Sequence, residues 1–516
     1  MEENVIENNQ NKESIINKEN ILLLAGCLVL GLLVDVLFYN KSLGISYPIF
    51  VLAFYGILMW KIRKSIVIKL NFEWLLTIPI LALACSYFIY SNVIFRILNF
   101  LAIPMLIFIQ TTLIASKNKY QWHSIKFLED LCISIFVRPF ENIPKPFQMI
   151  EEIISNRIKN KKVTVASKVL LGLLISIPIV VMVIALLASA DQVFQHFTEN
   201  IFSFFNNIKS DEAIIRTLII LFFSFTFFSY IWSIAYSKIY EAKEENANVY
   251  MTDKIIMITV LSVINLIYIF FVFIQFAYLF GGANYALVPG FSHSEYARRG
   301  FFELVAVTLI NLSILMVSLN FTKQGSKITN RISQILNSFL VVCTAIMLYS
   351  AHFRMSLYEQ EYGYTYLRIL THAFMVFIFV LLLLALYKIW RENFSLVKAY
   401  IIVTIAAYVV VNYVNIDVII ARNNYERFQK TRQIDVGYLN ILSYDAVPWM
   451  VELMNNKNKN IAVESQNSLY DKKKMLLSKN DWQSFNISEF RAKQQLSKLN
   501  LKYQKISLDE EIKSER

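Results

Sequence analysis

The chain has 516 residues, of which 56% are hydrophobic and only 17% charged, where an ordinary globular domain carries roughly 45 to 50% and about 25%. The apolar residues gather in long runs and do not recur at period 3.6 or 2, which excludes a single soluble enzyme and points to lipid. The formal charge of +12 comes mostly from Lys and Arg beside these runs, the positive-inside pattern of a membrane protein and not the footprint of a nucleic-acid binder.

Residues 1–20 are rich in Glu and Asn, too acidic for the basic front of a signal peptide, and read as a disordered cytoplasmic tail. A bilayer core of about 30 Å needs about 20 apolar residues per helix, and lipid offers no water to satisfy exposed backbone. Each long run therefore predicts a helix, about eleven in all, near 21–39, 43–60, 72–90, 93–115, 169–190, 213–236, 254–280, 300–320, 334–351, 367–390 and 398–420. The expected fold is all-α, a polytopic helical membrane protein over residues 21–420 followed by a small helical C-terminal region over 421–516.

Orientation follows from the loops. Lys61, Arg63, Lys64 and Lys69 follow the second span, and Lys323, Lys327 and Arg331 follow the eighth. The longest loop, 116–168, holds ten Lys and Arg against five acids. All three belong inside, which puts the amino terminus inside and the carboxyl terminus outside a bacterial cytoplasmic membrane. The 116–168 loop is also placed to attract anionic lipid or a cytosolic partner. Two loop segments carry apolar residues at helical spacing and read as interfacial helices: Val193, Phe194, Phe197, Ile201, Phe204, Phe205 and Ile208, and Ile150, Ile153, Ile154 and Ile158.

Forty Phe and 28 Tyr against 12 Gly and 9 Pro describe bulky, unbroken helices, unlike the interrupted helices that coordinate ions in many transporters. Cys27, Cys85 and Cys343 lie in apolar runs and Cys132 in the basic loop, with no CxxC motif. No P-loop, GxGxxG, GxSxG or HExxH is present, so no cofactor is implied.

Ionisable groups at membrane depth are costly and mark candidate sites. They crowd the outer side of the last five spans: His293, Glu295, Arg299 and Glu303 around the start of the eighth, His352, Glu361, Arg368 and His372 around the ninth and tenth, and Asp417 at the end of the eleventh. Arg299 with Glu303 and Arg368 with His372 are each four apart and share a helix face, so all four are expected to meet. Such a cluster serves either as a structural clasp of outer helix ends or as a pocket for an ion, a lipid head group or a glycan. A metal site from His293, Glu295, His352 and His372 is chemically possible, although no two of these histidines have ligand spacing on one helix. Asp35 reads as locally hydrogen-bonded, and Arg96 and Arg216 as snorkelling from helix ends.

Asp35-Val-Leu-Phe with Leu43-Gly44, Tyr296 to Leu304, Leu357 to Thr365, Asn415-Ile-Asp417, Ile420 to Asn423, Tyr438-Leu439, Ser443 to Pro448, and Trp482 with Asn486 form a set of short stretches along the chain. Together they resemble a bacterial family of multi-pass inner-membrane proteins, the domain of unknown function DUF4173, and the similar DUF4153. The resemblance implies a helical membrane domain with a short helical tail and supplies no catalytic residues. Three functions stay open: a non-enzymatic membrane protein in transport or the envelope, a lipid-linked glycosyl or phosphoryl transferase, and a membrane sensor or scaffold. The transferase class places paired acids in a long first outer loop, and here Asp35 stands without a partner beside a loop of a few residues.

Overall fold

A backbone in hydrocarbon must satisfy its own hydrogen bonds, and helices do so within one segment. The structure, a computed structural model, describes residues 17–64, 66, 71–157, 211–238, 240, 252–280, 301–323, 325–479 and 481–504, with a few isolated positions between 180 and 194. Among the described residues every regular element is helical, with one isolated bridge between Thr252 and Thr322. Nine of the described helices are long and apolar enough to cross a membrane: Lys18–Phe38, Phe72–Ile89, Val93–Ile114, Ile215–Tyr236, Lys254–Ile274, Phe302–Asn320, Lys327–Tyr362, Tyr366–Trp390 and Leu396–Tyr413. Ser46–Ile62, with 17 residues, is a shorter apolar helix. The expected spans are accounted for by these ten and by 169–190, which lies almost entirely outside the described residues, as does the interfacial helix expected at 193–208.

Two expected spans differ from the observed helices. The apolar stretch 334–351 is the middle of a 36-residue helix, Lys327–Tyr362. Hydropathy detects only its apolar part, whereas the helix starts where Ser326 caps the Thr329 amide and stops at Gly363, with φ +82°. The run 398–420 is two helices. Leu396–Tyr413 ends at an extended Val414, and Asn415 then accepts from the Val418 amide to begin Ile416–Thr431. The basic 116–168 loop is itself largely helical where described, from Phe127–Cys132 through a π turn at Ile133–Val137 to Arg138–Asn142 and Pro144–Arg157.

The chain divides into two compact units, one of residues 1–88, 99–245 and 481–485, the other of residues 89–98, 246–480 and 486–516. In the first unit, α1 (Lys18–Phe38) packs along the helix Asp211–Tyr236. Gly31 permits this approach, because a Cβ there would lie 2.1 Å from Ser224 Oγ and 2.4 Å from the Ile220 carbonyl. Polar contacts fix the register at both ends. Arg216 grips Asp35 through two nitrogens, the shorter contact 2.7 Å, and at the other end Lys61 donates to Asn20 (2.7 Å) and to Tyr236 (2.9 Å). Arg216 is therefore the partner of Asp35 and not simply a snorkelling side chain.

In the second unit the long helices carry apolar residues outward, as Leu266, Phe270 and Phe273 show on Lys254–Phe280. Polar side chains face inward and bond between helices. Asn265 donates to the Leu336 carbonyl (2.9 Å), Asn311 to Thr344 (3.0 Å) and Asn337 to Ser318 (2.9 Å). The last quarter of the chain adds Val436–Ile441, Val447–Met454, Lys459–Ser478 and Ile487–Ser497 around a core that includes Leu439, Met450, Leu453, Leu469 and Leu496. Trp449 packs against this core, whereas Trp482, which belongs to the first unit, is exposed.

Gly31→Ala is expected to destabilise the first unit by about 1 to 3 kcal/mol, because the neighbouring helix must move aside. Gly56→Ala, where an added Cβ meets nothing within 4 Å, is expected to be neutral or slightly stabilising. Thermal melting of both variants in detergent checks this, and equal melting temperatures would contradict the close approach.

Candidate functional site

Two polar centres lie in the second unit. The first is built by the turn between Lys327–Tyr362 and Tyr366–Trp390. Gly363 has φ +82°, and a Cβ there would stand 2.7 Å from Asn424 Oδ1, so a side chain is excluded on two counts. Asn424 brackets the turn, accepting from the Tyr364 amide and donating to the Tyr364 carbonyl, both at 2.8 Å. Arg427 caps the helix end through the carbonyls of Gln360 and Glu361. The chain thus doubles back with the two helices side by side.

His352 and Glu359, seven residues apart, occupy one face of the first helix two turns apart. His372 comes from the second helix. Its Nδ1 lies 2.7 Å from His352 Nδ1, and its Nε2 lies 3.0 Å from Glu359 Oε2. The result is a continuous chain from an exposed imidazole to a buried carboxylate. The other carboxylate oxygen, Glu359 Oε1, is buried without a hydrogen-bond partner among the described residues. Arg368, one turn before His372, donates to the Gly363 carbonyl and stacks over the Tyr358 ring at 4.4 Å.

The residues singled out in the sequence are thus divided. His352 and His372 come together, and the acid they meet is Glu359. Glu361 is exposed and takes part through its backbone carbonyl. Glu303 lies in the first turn of Phe301–Asn320, is exposed, and has no hydrogen bond or ion pair to any described residue. His293, Glu295 and Arg299 lie outside the described residues. Among the described residues no group of three His, Cys, Asp or Glu side chains is arranged to hold a metal ion. The Nδ1 atoms of the two histidines lie 2.7 Å apart, closer than the roughly 3.3 Å between two ligand nitrogens of a tetrahedral zinc with bonds of about 2.0 Å.

Asp417 belongs to the second centre. Its carboxylate is buried and accepts from Asn92 Nδ2 (2.7 Å), from the Tyr366 hydroxyl and from the Ser443 amide (3.1 Å). Burial raises the Asp417 carboxyl above its ordinary value, opposed by the Ser443 and Asn92 hydrogen bonds and by Lys472. Lys472 is itself buried, donates to the carbonyls of Asn440 and Leu442 (both 2.9 Å), and is brought down to about 8 by that burial. A rim of further contacts surrounds this pair. Ser91 meets Ser488 at 2.9 Å, Asn486 donates to the Tyr90 carbonyl at 2.8 Å, and Lys479 pairs with Glu489 at 2.9 Å. Asp445, also raised by burial, is held by Ser488 and Asn415. This centre ties the C-terminal helices to the segment 89–98.

Asp417→Asn would turn one acceptor oxygen into a donor facing donors, and is expected to cost about 2 kcal/mol or more. Increased cleavage between 416 and 480 in limited proteolysis would report it. For Lys472 the folded value lies below the unfolded 10.5, so between about pH 8 and 10.5 the unfolded chain holds more protons and stability rises with pH. Melting temperatures from about pH 7.5 to 9.5 should therefore rise more steeply for the natural protein than for Lys472→Met.

Residues 77–453 match the model of a family described as Domain of unknown function (DUF4153). No curated protein and no solved structure matches the chain. The matched segment takes in the Gly363 turn, the two histidines, Glu359, Asp417 and Ser443, and stops short of Lys472. Of the two similar families that the sequence stretches suggest, DUF4153 is the one matched. With well over half of its length covered, the chain belongs to the family of domain of unknown function DUF4153.

Proposed function

We propose that this chain is a non-enzymatic multi-pass protein of a bacterial cytoplasmic membrane, serving transport or the envelope, and that the ion taken at its polar cluster is a proton. The basic ends of the second unit, with Lys254, Lys323, Lys327, Arg331, Lys388 and Arg391, would face the cytoplasm. His352, His372 and Glu359 would then face outward.

The observation that carries the reading is the His352–His372–Glu359 chain itself. Only one hydrogen fits between two Nδ1 atoms 2.7 Å apart, so the pair accepts a proton as a unit. A proton arriving at the exposed His352 can pass to His372, whose other nitrogen faces a carboxylate with one bare oxygen. A lipid head group or glycan would need donors and acceptors open to the surface, whereas here they are turned toward one another. The transferase reading has less support, since Asp35 is occupied by Arg216.

Proteoliposomes on a capacitive support test this. A jump from about pH 7.5 to about 5.5, the range in which imidazole titrates, is expected to give a transient charge displacement. It should be lost in His372→Ala and reduced in Glu359→Gln, with melting temperatures little changed. The same transient in His372→Ala would remove the proposal.

A further inference from the structure

At the opposite end of the second unit, the turn after Tyr366–Trp390 forms an open cavity of about 540 Å³. It is lined by Tyr387, Trp390, Arg391, Glu392, Asn393 and Phe394. The turn is shaped by its own backbone, with the Arg391 amide on the Tyr387 carbonyl (3.0 Å) and the Phe394 amide on the Arg391 carbonyl (3.1 Å). Tyr387 and Phe394 meet edge to face at 5.0 Å. Arg331, from the first turns of Lys327–Tyr362, lies over the Trp390 ring at 4.7 Å from the centroid.

Among the described residues neither Arg331, which covers the Trp390 ring at the edge of the cavity, nor Arg391, which lines the cavity with Trp390, has an ion pair. The one acid of the cavity, Glu392, lies within electrostatic reach of Lys254. We infer that this cavity binds the phosphate of an anionic phospholipid. Guanidinium groups are suited to phosphate by their fork of donors and weak hydration, and half-exposed Trp390 and Tyr387 are the aromatic residues that sit at head-group depth. An apolar track for the acyl chain starts beside Arg331. Ile328, Ile332, Ile335 and Phe339 are all exposed at spacings of four, three and four along one helix face. That track is what favours a lipid over free phosphate, which would have no use for it.

The test uses the full-length protein in detergent, with native mass spectrometry of added phosphatidylglycerol or phosphatidylcholine. Natural protein is expected to retain phosphatidylglycerol over phosphatidylcholine by roughly thirtyfold, as about two basic contacts to an anionic head group would give. Arg331→Gln with Arg391→Gln should abolish that preference, and Arg331→Lys with Arg391→Lys, which keeps both charges, should largely restore it. Equal retention of the two lipids by the natural protein would overturn the assignment. So would a preference unaltered in the Gln pair. Displacement of phosphatidylglycerol by millimolar inorganic phosphate would identify a free-phosphate site and overturn the lipid assignment.

Discussion

In hydrocarbon an apolar side chain gains little by touching another helix instead of a lipid tail, so the few polar side chains decide which helices pair and in what register. The described helices obey this closely. Asp35 with Arg216, Asn20 with Lys61 and Tyr236, Asn311 with Thr344, and Asn337 with Ser318 each join separate helices. Small residues work alongside them. Gly31 admits a neighbouring backbone that any side chain would hold off, and its immediate contact is the hydroxyl of Ser224. Removing one partner of such a pair leaves the other's donor or acceptor unanswered between helices, whereas removing an outward Phe exchanges one apolar surface for another.

The same economy separates the two polar centres of the second unit. Around Asp417 the carboxylate itself is answered: three donors reach it, and Lys472 gives its ammonium to two carbonyls. Such a saturated centre holds structure. The histidine pair is left open at both ends, with an exposed imidazole at one and a bare carboxylate oxygen at the other. Unfilled capacity of this kind is what the proposed exchange of a proton at the histidine pair requires.

Much of this was legible in the sequence. Apolar runs located the helices because lipid demands length, and a polar tail after the last run predicted the C-terminal helices. The break at Asn415 was missed because hydropathy averages across it, although Asn415 as a cap and Asp417 in the first turn were signals in plain view. The histidines were found by their cost in a membrane, but Glu359, the acid that His372 meets, was left out of the expected cluster while Glu361 was included and Glu303 was expected beside His372. Glu359 and Glu361 differ by two residues, or about 200° around the helix, so one faces the neighbouring helix and the other water. Choosing between them required knowing which face the turn at Gly363 would bury. The mutual grip of Asp35 and Arg216, 181 positions apart, had no local trace at all.

The length of Lys327–Tyr362 has a mechanical consequence. Thirty-six residues make a rod of about 54 Å at 1.5 Å each, against a hydrocarbon slab of about 30 Å. Arg331 and His352 are 21 residues apart, a rise of about 31 Å, so when the arginine sits at one boundary the imidazole sits at the other. Glu359 then stands about 10 Å farther out. Tilting the rod, or thickening the bilayer, draws His352 toward the oil and away from water. In a bilayer the length of the rod would thus couple the hydration of its far end to the thickness of the membrane around it.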